Sequence, residues 1–352
     1  MRNETPYTSV PDPEIKKLLD CVLPEIAGEI DTLRLPHLRA VILGGGYGRG
    51  EGGVLHTSSG SRLYNDLDFF VFSEGADVKN AGRINSALKE LSDRWEKRLG
   101  IAVDFGPVKN LNSLRRVGHT LMFQELLRGW KPVWGNADLQ KWIPHLDVSE
   151  LPYSEAVRLL LNRGMGLAFA GEYLKKGRND PDFIVRNMNK AILGGGDALL
   201  IASGRYCWSG RERVHAYAEY VRAAALPPEF TQLYEKAFRW KQEPEPVLPP
   251  DAAGAWKVCR NFYLDSVSLC AGISSNATVK AVTAGLHCRV RKERSLKNAL
   301  RWVLRTRSLR SPLMLFDPPV VSVLGKLYAV LTETEDYVEI PDDLFRLWRI
   351  FN

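Results

Sequence analysis

The stretch 39–72 constrains the fold more than any other part of the chain, because two apolar strands flank a run of glycines. The first strand is predicted at 39–43, the glycines lie within 44–53, and a polar loop leads to a second strand that opens with Asp66 and Asp68. Side chains alternate across a strand, so these two carboxylates are expected on one face, with Cα atoms about 7 Å apart. Such a pair predicts a cation site, and a glycine turn lets backbone N–H groups approach a phosphate.

The basic charge of the chain is concentrated in one segment. The 352 residues include 48 Lys or Arg and 41 Asp or Glu, which gives a net charge of 48 − 41 = +7. The segment 289–310 alone has nine Lys or Arg against one Glu, a net charge of +8, so the rest of the chain is at −1. An apolar fraction of 45% is ordinary for a soluble globular protein, and this length predicts about two domains.

The cysteines and the apolar runs exclude several classes of protein. Five widely spaced cysteines without a Cys-x-x-Cys pair argue against a disulfide framework and against a zinc site. No apolar core of signal-peptide length opens the sequence, and no run of 18 apolar residues occurs in it. We therefore expect a cytoplasmic protein with no transmembrane segment.

The periodicity changes character near residue 150. Before it, apolar strands alternate with amphipathic stretches, which predicts a small mixed sheet with helices on it. The predicted elements are a helix that begins after Asp12, strands at 39–43 and from Asp66 onward, a helix within 75–99, a strand at 101–105, a helix at about 119–128 and a final stretch at 131–135. After it, helical periodicity predicts helices at about 154–173, 184–203, 211–225, 253–270 and 320–331, with a proline-rich connector at 242–250. The expected fold is an α/β (α+β) mixed-sheet domain at 1–148 followed by an all-α helical domain at 149–352.

The glycine run does not match the better-known phosphate loops. A Walker A loop requires Gly-Lys followed by Ser or Thr, and no lysine lies in the run. A dinucleotide fingerprint is present by spacing at Gly48, Gly50 and Gly53, but it begins four residues after the predicted strand end and no helical pattern follows it. A dinucleotide-binding enzyme is therefore the weaker alternative.

The combination of motifs resembles the nucleotidyltransferase superfamily, which includes polymerase beta, the aminoglycoside nucleotidyltransferases and the minimal bacterial nucleotidyltransferases. The matching residues are the pair Gly45 and Gly46, the Arg-Gly-Glu sequence at 49–51, the pair Asp66 and Asp68, and a third acid, Asp104, on a later strand. The resemblance covers about residues 38 to 135. Two departures stand out: Gly46 occupies a position where many members have serine, and 20 residues separate it from Asp66, so 53–64 is expected to be an insertion beside the site.

The resemblance implies a nucleotidyltransferase-type sheet domain and a transfer of a nucleoside monophosphate, AMP from ATP in most similar proteins, to a hydroxyl acceptor with release of pyrophosphate. The acceptor would be a small molecule, a protein or an RNA. Two Mg²⁺ or Mn²⁺ ions would be held by Asp66, Asp68 and Asp104, which are thus the expected catalytic residues. The nucleotide would be bound by Gly45, Gly46, Arg49 and Lys190.

Each of these residues also has a simpler interpretation. Asp66 and Asp68 could cap a turn, and Asp104 could pair with an arginine of the fold. Arg49 would either touch a phosphate or bond to a backbone carbonyl, and Lys190 would either reach the triphosphate or lie on a solvated helix face. The corresponding rival function is a catalytically inactive regulatory or RNA-binding protein with the same fold.

The basic segment 289–310 predicts an amphipathic helix. Arg294, Lys297, Arg301 and Arg305 recur at spacings of three and four, while Leu296, Leu300, Val303 and Leu304 lie on another face. Such a helix would contact RNA, an anionic membrane surface or an acidic partner. Alternatively, its basic face pairs with the acidic tail, which contains Glu333, Glu335, Asp336 and Glu339.

Overall fold

The computed structural model describes residues 6–64, 66–275, 277–308, 314–333 and 339–351. The chain is a mixed α/β protein with a small mixed sheet and many helices, which confirms the coarse fold class. It divides into two compact units. The first comprises Met1–Leu146 and Arg239–Glu245, and the second comprises Asp147–Phe238 and Pro246–Asn352.

The first unit contains every strand of the described chain. Its elements are α1 (Pro13–Thr32), β1 (Leu38–Leu43), α2 (Gly45–Arg49), β2 (Val54–Thr57), β3 (Gly60–Leu63), β4 (Leu67–Ser73), α3 (Val78–Leu99), β5 (Val103–Phe105), β6 (Lys109–Asn110), α4 (Leu114–Val117), α5 (Leu121–Arg128) and β7 (Lys131–Gly135). Helix α1 begins where the sequence predicts, because the Asp12 carboxylate accepts a hydrogen bond from the Ile15 N–H at 2.9 Å and a proline occupies the first turn.

The main sheet has the strand order β5-β4-β1-β7, with β6 also paired to β4. Strand β1 is antiparallel to β4 and β7, whereas β5 and β6 run parallel to β4. One face carries Leu67 and Phe69 into a core with α1 and α3. The opposite face carries Phe72 into a second core with Phe123 of α5. Alternate residues of β4 therefore pack into two different hydrophobic cores.

The segment expected to be a polar loop is instead a β-hairpin, β2–β3, and the preceding glycine turn contains the short helix α2. Val54 and Leu63 are cross-strand partners and are buried in the core that includes α1. The turn places Gly60 at φ +113°, and the Ser61 N–H donates to the Glu14 carboxylate at 2.7 Å. Two apolar side chains at the base thus dock the insertion on α1.

The described residues of the second unit form helices joined by turns and loops, with no strand among them, as the sequence predicts. Its helices are α6 (Tyr153–Lys175), α7 (Pro181–Ala202), α8 (Gly210–Ala223), α9 (Glu229–Gln242), α10 (Ala252–Cys270), α11 (Val279–Arg289), α12 (Leu296–Thr306), α13 (Pro319–Glu333) and α14 (Asp342–Phe351). The sequence did not predict α9, α11 or α14. Helix α9 belongs to this unit through Phe238, and its last turn belongs to the first unit. Across the described residues, every helix is too short or too polar to cross a lipid bilayer.

The glycine run at 194–196 marks close helix contact rather than a break. Helix α7 continues through it, and a Cβ added at Gly194 would lie 2.3 Å from a carbon of Arg163 on α6. On α10, the Tyr263 hydroxyl donates to the Leu160 carbonyl of α6 at 2.8 Å. Small residues on one helix and hydrogen bonds from the next therefore hold α6, α7 and α10 together.

Candidate functional site

Two of the predicted acids face each other across the parallel pair of β4 and β5. Asp68 is the direct register partner of Asp104, flanked by the pairs Leu67 with Val103 and Phe69 with Phe105. The flanking pairs point into the core, so alternation places both carboxylates on the opposite face of the sheet. Asp68 is partly exposed and Asp104 is exposed. The sheet thus presents two adjacent acids to solvent.

Asp66, the third predicted acid, lies just before β4. It is exposed, and the next residue, Leu67, donates its N–H to the Ala102 carbonyl at 3.0 Å. The hydrogen bond holds the entry to β4 beside the entry to β5. Asp66 therefore lies two residues before Asp68 in the chain, and Asp104 lies beside Asp68 on the neighbouring strand β5. Among the described residues, which include all three acids, no group of three or more His, Cys, Asp or Glu side chains is placed to hold a metal ion.

The Asp68 carboxylate packs directly against Gly45 at the start of α2. A Cβ added at Gly45 would lie 2.0 Å from Asp68 Oδ2, and the backbone of Gly45 has φ +59°. The Gly44 N–H donates to the Asp68 carbonyl at 2.8 Å. Glycine is therefore required at position 45 for space and for conformation. At Gly46, by contrast, a Cβ would lie 3.4 Å from the nearest atom, the Glu51 carbonyl oxygen, so a small side chain needs little adjustment there.

The predicted phosphate contact Arg49 is held by carboxylates of the protein. Its Nη1 donates to Glu125 Oε2 at 3.2 Å, and its Nε lies 3.8 Å from Glu51 Oε2. Lys241 Nζ lies 3.3 Å from the same Glu51 oxygen. The Arg49, Glu51 and Glu125 side chains are each less than a fifth exposed. These ion pairs connect α2 to α5 and to the segment Arg239–Glu245. The sequence predicted that Arg49 would contact a phosphate or a backbone carbonyl, and it did not predict these ion pairs.

Tyr47 fixes the two ends of the hairpin relative to α2. Its buried hydroxyl donates to the Gly53 carbonyl at 2.7 Å and accepts from the Tyr64 N–H at 3.0 Å. Tyr64 in turn packs edge-on against Trp240, with ring centroids 5.6 Å apart. The insertion therefore has a fixed position next to the glycine loop, and it does not loop freely into solvent.

Two lysines contribute to the charge of this sheet edge, and the sequence pointed to neither. Lys109 on β6 is the register partner of Phe72, so it lies on the same face of the sheet as Asp68. The pKa of Lys89 on α3 is raised, chiefly by its hydrogen bond to Asp93 and further by carboxylates that include Asp104. A two-residue strand such as β6 leaves no periodic signal, which is why Lys109 was missed.

Lys190, the remaining predicted nucleotide contact, lies on α7 of the second unit and is partly exposed. Its proposed role in nucleotide binding stays a prediction. The first unit thus contains the carboxylates, the glycine loop and Arg49. A pair of hard oxygen donors on an exposed face, beside a glycine whose Cβ would fill the space, fits a divalent cation.

Comparison of the chain with protein-family models, with curated proteins and with solved structures found no match. A function can therefore be assigned only from the residues and their geometry. The most specific geometry in the chain is the acidic edge formed by Asp68 and Asp104 next to Gly45.

Proposed function

We propose that this protein is a metal-dependent nucleotidyltransferase, which transfers a nucleoside monophosphate, AMP from ATP in the first instance, to a hydroxyl acceptor. The observation that carries the proposal is the direct register of Asp68 with Asp104, with the Asp68 carboxylate packed on Gly45. A strand, a glycine loop and two parallel strands bearing acids also support a nucleotidyltransferase-type fold for the first unit.

Asp66, Asp68 and Asp104 are the residues that would hold two Mg²⁺ or Mn²⁺ ions. When bound, such ions neutralise the triphosphate and lower the pKa of the attacking hydroxyl. The carboxylates supply hard oxygen ligands together with the negative charge that these ions require. Like charges directly opposite one another on neighbouring strands repel, so a cation held by Asp68 and Asp104 would also reduce this repulsion.

The glycine loop would bind the outer phosphates. The N–H groups of Gly45 and Gly46 begin α2, where the first helical N–H groups have no partner within the helix. Neither residue has a side chain that would hold a phosphate away from the backbone. Arg49 acts as a positioning residue, because its contacts with Glu51 and Glu125 hold the far end of α2. Lys109 and Lys190 are proposed as further phosphate contacts.

The transfer itself is a substitution at the α-phosphorus. The acceptor oxygen forms a bond to that phosphorus, and the bond from the phosphorus to the oxygen bridging the α- and β-phosphates breaks. Pyrophosphate leaves with the electron pair, and the acceptor proton passes to solvent. The protein contributes position and charge rather than a covalent nucleophile.

The test is a screen of the four labelled nucleoside triphosphates with Mg²⁺ or Mn²⁺, scored for pyrophosphate release and for labelled product. Asp68→Asn and Asp104→Asn should reduce release at least about 100-fold, a loss typical of a removed electrostatic contact. Asp138→Asn, at an exposed carboxylate paired with Lys141, is the matched control and should retain full activity.

Binding of a non-hydrolysable ATP analogue provides a second measurement that does not depend on the acceptor. The wild-type protein should bind it only with divalent metal, and the two variants should not bind it. Equal metal-dependent binding by the wild type and both variants would refute the site.

A further inference from the structure

Helix α12 presents three distinct faces. Ala299 and Trp302 are buried, and the Trp302 ring stacks on Phe351 of α14 at a centroid distance of 5.2 Å. That stacking determines which side of the helix is turned toward the protein. The side chains on the remaining faces are consequently available to solvent or to a partner.

The leucines of α12 form an exposed row. Leu296, Leu300 and Leu304 are 65%, 53% and 77% exposed. Residues four apart lie above one another on a helix, so the three side chains follow one stripe about 12 Å long. Single exposed apolar residues are common on protein surfaces, but a continuous row of three on one helix indicates a surface that contacts something apolar.

A second row on α12 is basic. Lys297, Arg301 and Arg305 also recur every four residues, one position after each leucine, and all three are exposed. Within the described residues, none of them forms an ion pair with a carboxylate, and the Arg301 guanidinium lies 6.0 Å from the centre of the Phe351 ring. The pKa of Arg301 is lowered by partial burial and then by the positive charges of Arg158 and Arg305. An anion beside this row would therefore relieve like-charge repulsion.

The neighbouring chain extends the same surface. Arg291 and Lys292 precede α12 and are exposed. Phe316 is 42% exposed, and its carbonyl accepts hydrogen bonds from Ser295 N and Asn298 Nδ2 at the start of α12, each at 3.0 Å. An aromatic side chain thus lies at the end of the helix where the leucine row begins.

We infer that α12 docks on the surface of an anionic lipid bilayer, with the leucine row inserted among the acyl chains and the basic row at the headgroups. An apolar stripe flanked by Lys and Arg is the pattern of an interfacial amphipathic helix. Lys and Arg stems lie along the apolar boundary while their charges reach the headgroups. Single-stranded nucleic acid would use the basic row with aromatic stacking, and it would leave the leucines in water.

The acidic tail is the internal alternative partner for the basic row. Glu339 lies 3.9 Å from Lys175 on α6, and Glu335 and Asp336 lie outside the described residues. Within the described residues, Glu339 of this tail thus pairs with α6 and not with the basic row. The bilayer accounts for both rows at once, and the inference does not depend on the nucleotidyltransferase proposal.

The test is co-sedimentation of the full chain with vesicles of phosphatidylcholine containing about one third phosphatidylglycerol, compared with pure phosphatidylcholine. The wild-type protein should bind the anionic vesicles and not the neutral ones, and binding should weaken at about 0.5 M salt. Combined Lys297→Gln, Arg301→Gln and Arg305→Gln should weaken binding about 100-fold, since each charge contributes about fivefold.

The leucine row is tested separately. Combined Leu296→Gln, Leu300→Gln and Leu304→Gln should weaken binding about 100-fold or more, and Leu300→Gln alone about tenfold. Glutamine keeps the helix propensity, and thermal unfolding verifies the fold of each variant. Combined Val78→Gln and Val247→Gln, at valines 91% and 73% exposed elsewhere, should bind as the wild type does.

Two results would overturn the inference. One is equal binding of anionic vesicles by the leucine variants and the wild type. The other is absence of vesicle binding together with salt-dependent binding of single-stranded RNA that the leucine variants retain, which would assign the basic row to RNA instead.

Discussion

The carboxylate of Asp68 occupies the space that a side chain on Gly45 would need, with Oδ2 only 2.0 Å from the position of an added Cβ. Gly45 therefore provides the space that the Asp68 carboxylate occupies. Through this contact, the glycine loop and the acidic strand β4 pack directly against each other. Its consequences can be tested at the two adjacent glycines.

Gly45→Ala should destabilise the protein by at least about 1 kcal/mol, because the left-handed backbone at φ +59° disfavours a Cβ and the Asp68 carboxylate must move. Gly46→Ala is the matched control and should change stability by less than about 0.5 kcal/mol. Urea unfolding of both variants measures the difference. Equal loss in the two would mean that Asp68 does not depend on Gly45.

Asp104→Asn should raise the free energy of unfolding by about 0.2–1 kcal/mol in a metal chelator, because it removes a like charge directly opposite Asp68. We expect Mg²⁺ to raise the Tm of the wild type but not that of this variant, since a ligand that binds the folded state stabilises it. Thermal unfolding with and without Mg²⁺ measures both effects. A Mg²⁺-dependent increase that persists in the variant would place the cation elsewhere.

Arg49→Ala should cost about 2 kcal/mol of stability, because the largely buried Glu125 loses its contact with Arg49 and Glu51 keeps only the more distant charge of Lys241. Arg94→Ala removes a surface pair with Glu29, in which the side chains are 57% and 40% exposed, and should cost less than about 1 kcal/mol. Denaturant unfolding compares the two arginines. A double-mutant cycle with Glu125→Gln should show coupling, whereas additive losses would argue against the network.

The cysteines should fall into reactive and unreactive classes at pH 8. Cys21 and Cys288 are exposed, whereas burial raises the pKa of Cys259 and of Cys270 to about 12. A thiol reacts as its thiolate, so the buried pair should react about a thousandfold more slowly than the exposed pair in the native protein. Mass spectrometry after brief alkylation, with urea-unfolded protein as the reference, locates the modified residues. Rapid native labelling of Cys270 would contradict the packing of α10.

Local sequence determined the parts of the fold that depend on neighbours in the chain. Asp12 capped α1 as predicted, because a capping side chain needs only the N–H three residues on. Side chains alternate between the two faces of a strand, so the sequence of β4 was enough to place Asp68 on the other face of the sheet from the core residues Leu67 and Phe69. The helical character of the second unit likewise followed from its apolar periodicity.

Tertiary structure decided everything that depends on contacts between distant segments. The register that pairs Asp68 with Asp104 results from the alignment of two strands, and no local pattern encodes it. Arg49 received its partner Glu125 only when α5 and α2 packed together. The division of the chain after Leu146, with the return of Arg239–Glu245 to the first unit, is also a matter of packing.

The same distinction applies to α12. The sequence by itself determined an amphipathic helix with basic and leucine rows, because both rows follow from helical spacing. Only the stacking of Trp302 on Phe351 decided that the leucines face outward, since a helix has no inner side until another element covers one. Spacing sets which residues share a face, and packing sets where that face points.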